Sequence, residues 1–298
     1  MTQNTAIIGL GSMGYGIAAS VLRAGHAAYG FDLAPALAAR FLAQGGRPGA
    51  LGGVAPSLHA VVVVVLNAAQ TESVLFGADG VVPQLAKGAV VIACATVPPA
   101  FARDMAARCG EYGVLYLDAP ISGGSVKAAA GKLSVMASGT PQAFAAAAPV
   151  LSACAQTVFE LGETAGAGSA MKAVNQMLAG VHIAAMAEAL TFGMTQGVAP
   201  DKFVEVISKC AGTSWMLENR APHIVAGDYT PQSSVNIWPK DLGIVLDIAR
   251  EAAFDAPITT AALQQFLAAV GQGLGAEDDA AVAKVYASRA GLNLPEKI

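Results

Sequence analysis

"TAIIGLGSMGYGIAASVLRAGHAAYGFD", residues 5–32, decides the fold. It opens on a short β-branched run at Ile7 and Ile8, and glycines then fall at 9, 11 and 14 in the spacing G-x-G-x-x-G. A helical stretch follows through Arg23, Gly25 stops it, and a second strand from Ala28 to Phe31 ends on Asp32. This is one strand–helix–strand unit with its glycines at the first turn. Each glycine has a reason to be there. Gly9 allows the tight turn, Gly11 lets a pyrophosphate approach the backbone, and Gly14 lets helix and strand pack closely. The helix N-terminus then offers N–H donors and positive potential to phosphates.

Asp32, at the end of the second strand, suits a carboxylate that bonds both ribose hydroxyls of a dinucleotide. The next residues are Leu33, Ala34 and Pro35. None is basic, so nothing there pairs with a 2′-phosphate, and the carboxylate would repel one. The expected cofactor is NAD rather than NADP. Leu10, Ser12 and Met13 fill the variable positions of the glycine turn and are expected to meet the cofactor with it.

Parallel strands buried on both faces read as continuous apolar runs. "AVVVVVLN" (60–67), "AVVIACAT" (89–96) and "VLYLDAP" (114–120) fit, with "LSVMASG" (133–139) and "TVFELG" (157–162) as further strand candidates. Helical patterns such as "PAFARDMAARCGEYG" lie between them. The expectation is an α/β fold, a doubly wound parallel sheet of Rossmann type over residues 1–163. Ligands of such sheets bind beyond the carboxyl ends of the strands. Asn67, with Leu66 beside it, and Thr96 sit at such ends; each polar residue could contact the cofactor or cap the next helix. Ser122-Gly123-Gly124 follows another strand end, where consecutive small residues could expose backbone amides to a carboxylate or simply form a hairpin loop.

After Gly162 the strand signals stop. "GETAGAG" reads as a glycine-rich hinge, and a long helix is expected from Gly166 to about Gln196, with further helices over 200–210, 240–253 and 258–272. Residues 164–298 are thus expected to form an all-α domain, joined through that long interdomain helix. A helix apolar all round must be buried, between domains or between subunits. Yet this one carries Lys172, Asn175 and Gln176, which share one face by their i, i+3, i+4 spacing. A buried lysine is rare unless paired or functional; the bland alternative is a lysine that snorkels to the surface.

The chain has 298 residues, 54% hydrophobic and 13% charged, with a formal net charge of −4. That is ample for large cores and gives no reason to expect nucleic acid or anionic lipid as a partner. Four cysteines are scattered without a paired motif and four histidines lie far apart, so neither a disulfide framework nor a metal site is expected. The strand pattern begins within a few residues of Met1 and the longest apolar run is too short for a bilayer. A cytoplasmic protein without membrane association is expected.

Together, "IIGLGSMGYGIAASVLRAGH", "VLFGADGV", "DAPISGG", "GKLSVMASG", "GAGSAMKAVNQ", "KDLGIVLDIARE" and "GLGAEDDAAV" resemble the β-hydroxyacid dehydrogenase family, in family order over essentially the whole chain. The resemblance implies an NAD-dependent dehydrogenase of a sugar acid or other small hydroxyacid, and the apolar helix adds the expectation of a homodimer or homotetramer. It implies that Lys172 is the catalytic general base and that Ser122, Gly123 and Gly124 form the substrate-carboxylate loop. Gln176 takes the place of a substrate-binding Asn, one methylene longer, with Asn175 before it. Thr96 matches a position near the nicotinamide ribose, and Lys240 a lysine that reaches the cofactor. Asn67 departs from the "MLP" of most relatives. A non-catalytic NAD-binding sensor is the competing class, and Lys172 with its two amides argues against it.

Overall fold

The computed structural model describes residues 2–297. The chain divides into two compact units, Met1–Lys172 and Ala173–Ile298. The division falls inside the long helix Ala167–Thr195, later than the boundary at 163/164 expected from the glycine-rich stretch.

The first unit is built on five parallel strands, β1 (Asn4–Ile8), β2 (Ala27–Phe31), β3 (Ala60–Val63), β4 (Val90–Ala93) and β5 (Leu115–Asp118), in the order β2-β1-β3-β4-β5. Strand order reverses beside β1, so the switch point lies at its carboxyl end, where the glycine turn begins. Ile7, Val62, Ile92 and Leu117 point to one face of the sheet and are at most 1% exposed. Ile8, Val61, Val63 and Val91 point to the other, where Met105 and Cys109 of the helix Pro99–Glu111 cover them. Burial on both faces is why these strands read as unbroken apolar runs.

The two further strand candidates do not extend this sheet. β6 (Ile121–Ser122), β7 (Leu133–Ala137) and β8 (Ala155–Glu160) form a separate three-stranded sheet, antiparallel between β6 and β7 and parallel between β7 and β8. Pro120, which has no backbone N–H to give a ladder, separates β5 from β6.

The glycine-rich segment before the long helix is a packed joint rather than a hinge. A Cβ on Gly168 would lie 2.4 Å from the Met136 carbonyl oxygen and 2.8 Å from that of Asp118. Gly166 takes φ +105°, open to glycine alone at little cost. The orphan amides of the helix start are satisfied by a buried carboxylate. Asp118 Oδ2 accepts from Gly166 N at 2.9 Å and Ser169 N at 2.8 Å, and Oδ1 accepts from the Ser169 hydroxyl at 2.7 Å. Ser138 Oγ donates to Asp118 at 3.2 Å and accepts from Gly168 N at 2.9 Å.

The second unit is helical. Beyond the long helix it contains Pro200–Ile207, Trp215–Ala226, Ile237–Glu251, Pro257–Gly271 and Val282–Ala290. Ile183, Met186, Ala187 and Leu190 of the long helix share its core with Trp238, Leu242 and Phe266. By length and composition alone this helix could cross a membrane, but these contacts make it the core helix of the unit. It is not covered all round, as its composition predicts: Met171, Val174, Leu178 and Phe192 are between 44% and 66% exposed.

Asp118→Asn would turn an N–H donor towards the amides that the carboxylate now receives. It is expected to lower unfolding free energy by about 2–3 kcal/mol, the cost of orphaning buried donors. Urea denaturation followed by circular dichroism checks this, and a loss below about 0.5 kcal/mol contradicts the capping role.

Candidate active site

The turn after β1 is shaped by close approach. Gly9 has φ +95°, and a Cβ there would sit 2.5 Å from the Val64 carbonyl oxygen. A Cβ on Gly14 would meet the Gly9 carbonyl at 1.8 Å, so both positions admit only glycine. Gly11 differs, since a Cβ there would meet nothing within 4 Å. Its backbone faces open space, as a phosphate cradle requires. The helix Gly14–Arg23 starts from Met13 with no side-chain cap; Tyr15 N donates to Gly11 O at 3.0 Å, and the open side of the turn at Gly11 suits an incoming anion. These residues fit the pyrophosphate of NAD. Ser12 is exposed and Met13 half-buried. Leu10, 1% exposed, points into the core, so its part in this turn is through its backbone.

Asp32 ties the turn to the end of β2. Its Oδ2 accepts from Leu10 N at 2.7 Å and its Oδ1 from Ala34 N at 2.8 Å. Each oxygen keeps a lone pair for a ribose hydroxyl. Leu33 stands beside it, fully exposed, where a cation would meet a 2′-phosphate.

Asn67 resolves towards a cap. It is the N-cap of the helix Ala68–Phe76, its side chain accepting from Gln70 N at 2.8 Å. Gln70 Oε1 accepts in return from Leu66 N at 2.9 Å, close to a capping box. The polar loop after β3 is therefore held from within, and Leu66 is left 65% exposed at its tip. Thr96 does not cap the next helix, whose N-cap is Pro98; it stays half-buried just beyond β4.

Ser122, Gly123 and Gly124 do not form a hairpin loop. They lead from β6 directly into the helix Gly124–Ala130, with φ of +131° at Gly123 and +73° at Gly124. That helix is docked on the dinucleotide helix. A Cβ on Gly16 would clash with Ala128 and Ala129, Ser20 Oγ donates to Ala128 O at 3.2 Å, and Arg23 Nη2 donates to Ala129 O at 2.6 Å. The docking links the small-residue loop to the helix that follows the glycine turn. Lys172 is 8% exposed, and its Nζ donates to Ile121 O at 3.0 Å, next to Ser122. The lysine does not snorkel.

Asn175, Gln176 and Lys240 belong to the second unit, where a residue that sequence reasoning passed over joins them. Asp241, 2% exposed, accepts from Gln176 Nε2 at 2.5 Å and has Lys240 Nζ 2.7 Å from its other oxygen. Asn175 Nδ2 in turn donates to Gln176 Oε1 at 2.9 Å. A signal was present: Trp238, Asp241, Leu242, Val245 and Ala249 form the buried stripe of their helix, and Asp241 is the one carboxylate in it. Asp118 was equally visible, a lone carboxylate closing an otherwise apolar strand. Burial pushes the Asp118 carboxyl above its usual range, against the opposing effect of its bonds from Ser169, Gly166 and Ser138. The buried thiols do not compete as reactive groups: burial raises Cys109 to about 12 and Cys154 to about 11.

The fold and the glycine turn define an NAD-binding oxidoreductase. Residues 4–162 match the family model described as the NAD-binding domain of 6-phosphogluconate dehydrogenase. Residues 166–286 match the model described as NAD-binding of NADP-dependent 3-hydroxyisobutyrate dehydrogenase. The chain is 49% identical to an L-threonate dehydrogenase of Cupriavidus necator, covering 100% of this chain and 99% of that one. It is 44% identical to an L-threonate dehydrogenase of Haemophilus influenzae, over 99% of this chain and 97% of the other. The solved structure of a 3-hydroxyisobutyrate dehydrogenase from Salmonella typhimurium superposes with a TM-score of 0.89 at 45% identity, covering 95% of this chain and 99% of that one. The chain belongs to the β-hydroxyacid dehydrogenase family. It is a dehydrogenase that uses NAD and acts on a small hydroxyacid.

Exchanging Asp32 for Ala together with Leu33 for Arg removes the repulsion of a 2′-phosphate and supplies a partner for it. The ratio of kcat/KM with NADP to that with NAD should rise at least about tenfold, one charge-assisted hydrogen bond's worth. Steady-state assays with both cofactors read it directly.

Proposed function

We propose that this chain oxidises a small sugar acid, with L-threonate the first candidate and 2-dehydro-L-erythronate the product. The observation that carries the mechanism is the buried Lys172 with its Nζ on Ile121 O, beside the Ser122–Gly124 loop. The names and near-full coverage of the relatives from Cupriavidus necator and Haemophilus influenzae support the substrate.

NAD supplies the hydride acceptor when bound. The glycine turn at Gly9, Gly11 and Gly14, with Ser12 and Met13, holds the pyrophosphate, and Asp32 holds the adenosine ribose. Leu66 and Asn67, Thr96 and Lys240 make further contacts with the dinucleotide. Ser122 Oγ and the amides of Gly123 and Gly124 bind the substrate carboxylate. Asn175 and Gln176 orient the hydroxyls. As the carbinol carbon gives up its hydride, Lys172 Nζ takes the hydroxyl proton, and a carbonyl remains. In the reverse direction the lysine returns that proton. Placement governs the rate, which gives the buried Asp118 cap a catalytic consequence: Lys172 sits one turn beyond Ser169 on the helix that Asp118 starts.

A second reading, oxidation of 3-hydroxyisobutyrate, is favoured by the likeness to the 3-hydroxyisobutyrate dehydrogenase of Salmonella typhimurium; reduction of tartronate semialdehyde is the remaining alternative. A panel of C3 and C4 hydroxyacids assayed by NADH absorbance separates them. We place the enzyme in the cytoplasm, in line with its cofactor and its thiols. The exposed stripe Met171, Val174, Leu178 and Phe192 on a core helix favours assembly of two or four copies through that face.

Lys172→Ala is expected to reduce turnover by about 10²–10⁴-fold, the usual contribution of a positioned acid–base group, with the KM for NAD nearly unchanged. Lys172→Arg should be almost as damaging, since a guanidinium cannot accept the proton. Retention of most turnover by Lys172→Ala in steady-state assays would remove it from catalysis.

Assembly is read separately. Light scattering should give an even-numbered oligomer at micromolar concentration, and Leu178→Asp should shift it towards smaller species. A wild-type monomer contradicts the assignment of that face.

A further inference from the structure

We propose that Asp241 is a positioning residue for substrate selection: acting through Gln176, it sets which atoms of the Asn175 amide face a substrate hydroxyl. This rests on the sugar-acid reading above and refines the site it describes.

The argument is one of hydrogen-bond polarity. A carboxylate only accepts, whereas an amide side chain has one donating and one accepting end that differ little in shape. Asp241 is 2% exposed, so water does not satisfy it, and Lys240 Nζ lies 2.7 Å from Oδ1. The remaining oxygen, Oδ2, receives Gln176 Nε2 at 2.5 Å. Gln176 is itself 7% exposed, so a reversed amide would place a carbonyl against a carboxylate with no solvent to relieve it. With Nε2 committed, Oε1 must point the other way, where it accepts from Asn175 Nδ2 at 2.9 Å. Asn175 then has its Nδ2 drawn to Gln176, and its Oδ1 makes no hydrogen bond among the described residues. The sense of two amides is set in series by one charge.

The chemical consequence is selectivity. A half-buried carbonyl oxygen on Asn175 accepts from a hydroxyl and gains nothing from a methyl. A substrate with an additional hydroxyl near its reacting carbon is favoured over one that carries a methyl there. Gln176, bonded at one end to Asp241 and at the other to Asn175, therefore acts through Asn175.

The test uses kcat/KM for L-threonate, which carries additional hydroxyls, and for 3-hydroxyisobutyrate, which carries a methyl, both at saturating NAD. Gln176→Glu sets a second carboxylate against Asp241 and breaks the series. The threonate-to-hydroxyisobutyrate ratio should fall about tenfold or more, mainly through KM for threonate. The double variant Gln176→Glu with Asp241→Asn reverses the polarity at one joint only. The new amide at position 241 donates, the new carboxylate at position 176 accepts from it, and Asn175 is held as before. The ratio should return to within about threefold of wild type. A purely structural contact would not restore selectivity in this way. Asn175→Ala, at a half-buried position that tolerates truncation, should lose the same ratio and keeps the test open if Gln176→Glu does not fold. An unchanged ratio in Gln176→Glu or Asn175→Ala, or no recovery in the double variant, overturns the proposal. Absence of wild-type turnover with L-threonate would instead refute the sugar-acid reading. The series is then judged on any two oxidised hydroxyacids that differ by one hydroxyl.

Discussion

One buried carboxylate organises the first unit around its chemistry. Asp118 closes the edge strand of the parallel sheet and receives two amides and the Ser169 hydroxyl from the first turn of the long helix, with a fourth bond from Ser138. A helix start normally leaves four N–H groups without partners. Here a 1% exposed carboxylate takes two of them and a serine hydroxyl a third. These bonds fix where the helix begins against β5 and β7. Since Lys172 lies three residues after Ser169, the direction of its side chain follows from that bond set. The cost of burying the charge is visible in the raised Asp118 carboxyl, and the hydrogen bonds offset it.

The cofactor side of the same unit is organised by backbone rather than by charge. Gly9 and Gly14 allow the chain to turn against the exit of β3, and Gly11 leaves its surface open. Asp32 has two duties, since the carboxylate assigned to the ribose also pins Leu10 N and Ala34 N. The helix Gly124–Ala130 packs at Gly16 on the helix that starts the turn. The loop Ser122–Gly124, proposed to take the substrate carboxylate, is thus anchored to the glycine turn through helix–helix contact. In the second unit, Asp241 holds an analogous place. It is a lone carboxylate in an apolar stripe, hydrogen-bonded at Oδ2 by the amide of Gln176 and ion-paired at Oδ1 with Lys240.

Much of the fold was legible in residues 5–32 and in the apolar runs that follow, because steric limits on glycine turns and two-sided burial of parallel strands act locally. Lys172 was legible as an exception, a charge inside an apolar helix, and it is buried with its Nζ on Ile121 O. Other features were misread where two local readings cost the same. Gly162 to Gly168 looks like a hinge, since only the packing of Gly168 against β5 and β7 shows that its lack of a side chain serves close approach. "LSVMASG" and "TVFELG" have strand composition, but composition does not say which sheet a strand joins. Asn67 caps the helix Ala68–Phe76 through Gln70 N, a bond that the residues alone do not separate from a cofactor contact.

The amino-acid sequence by itself determined the class of fold, the dinucleotide turn, the preference implied by Asp32 and the odd lysine. These depend on short-range geometry and on residue chemistry that needs no partner. The tertiary structure alone decided what Asp118 and Asp241 do, because a buried carboxylate is defined by donors distant in the chain. Gly166 and Ser169 lie about fifty residues from Asp118, and Gln176 lies 65 from Asp241. Spacing rules reach one helical turn or one strand pair. The partners that set a side chain's direction across such separations exist only once the chain has folded.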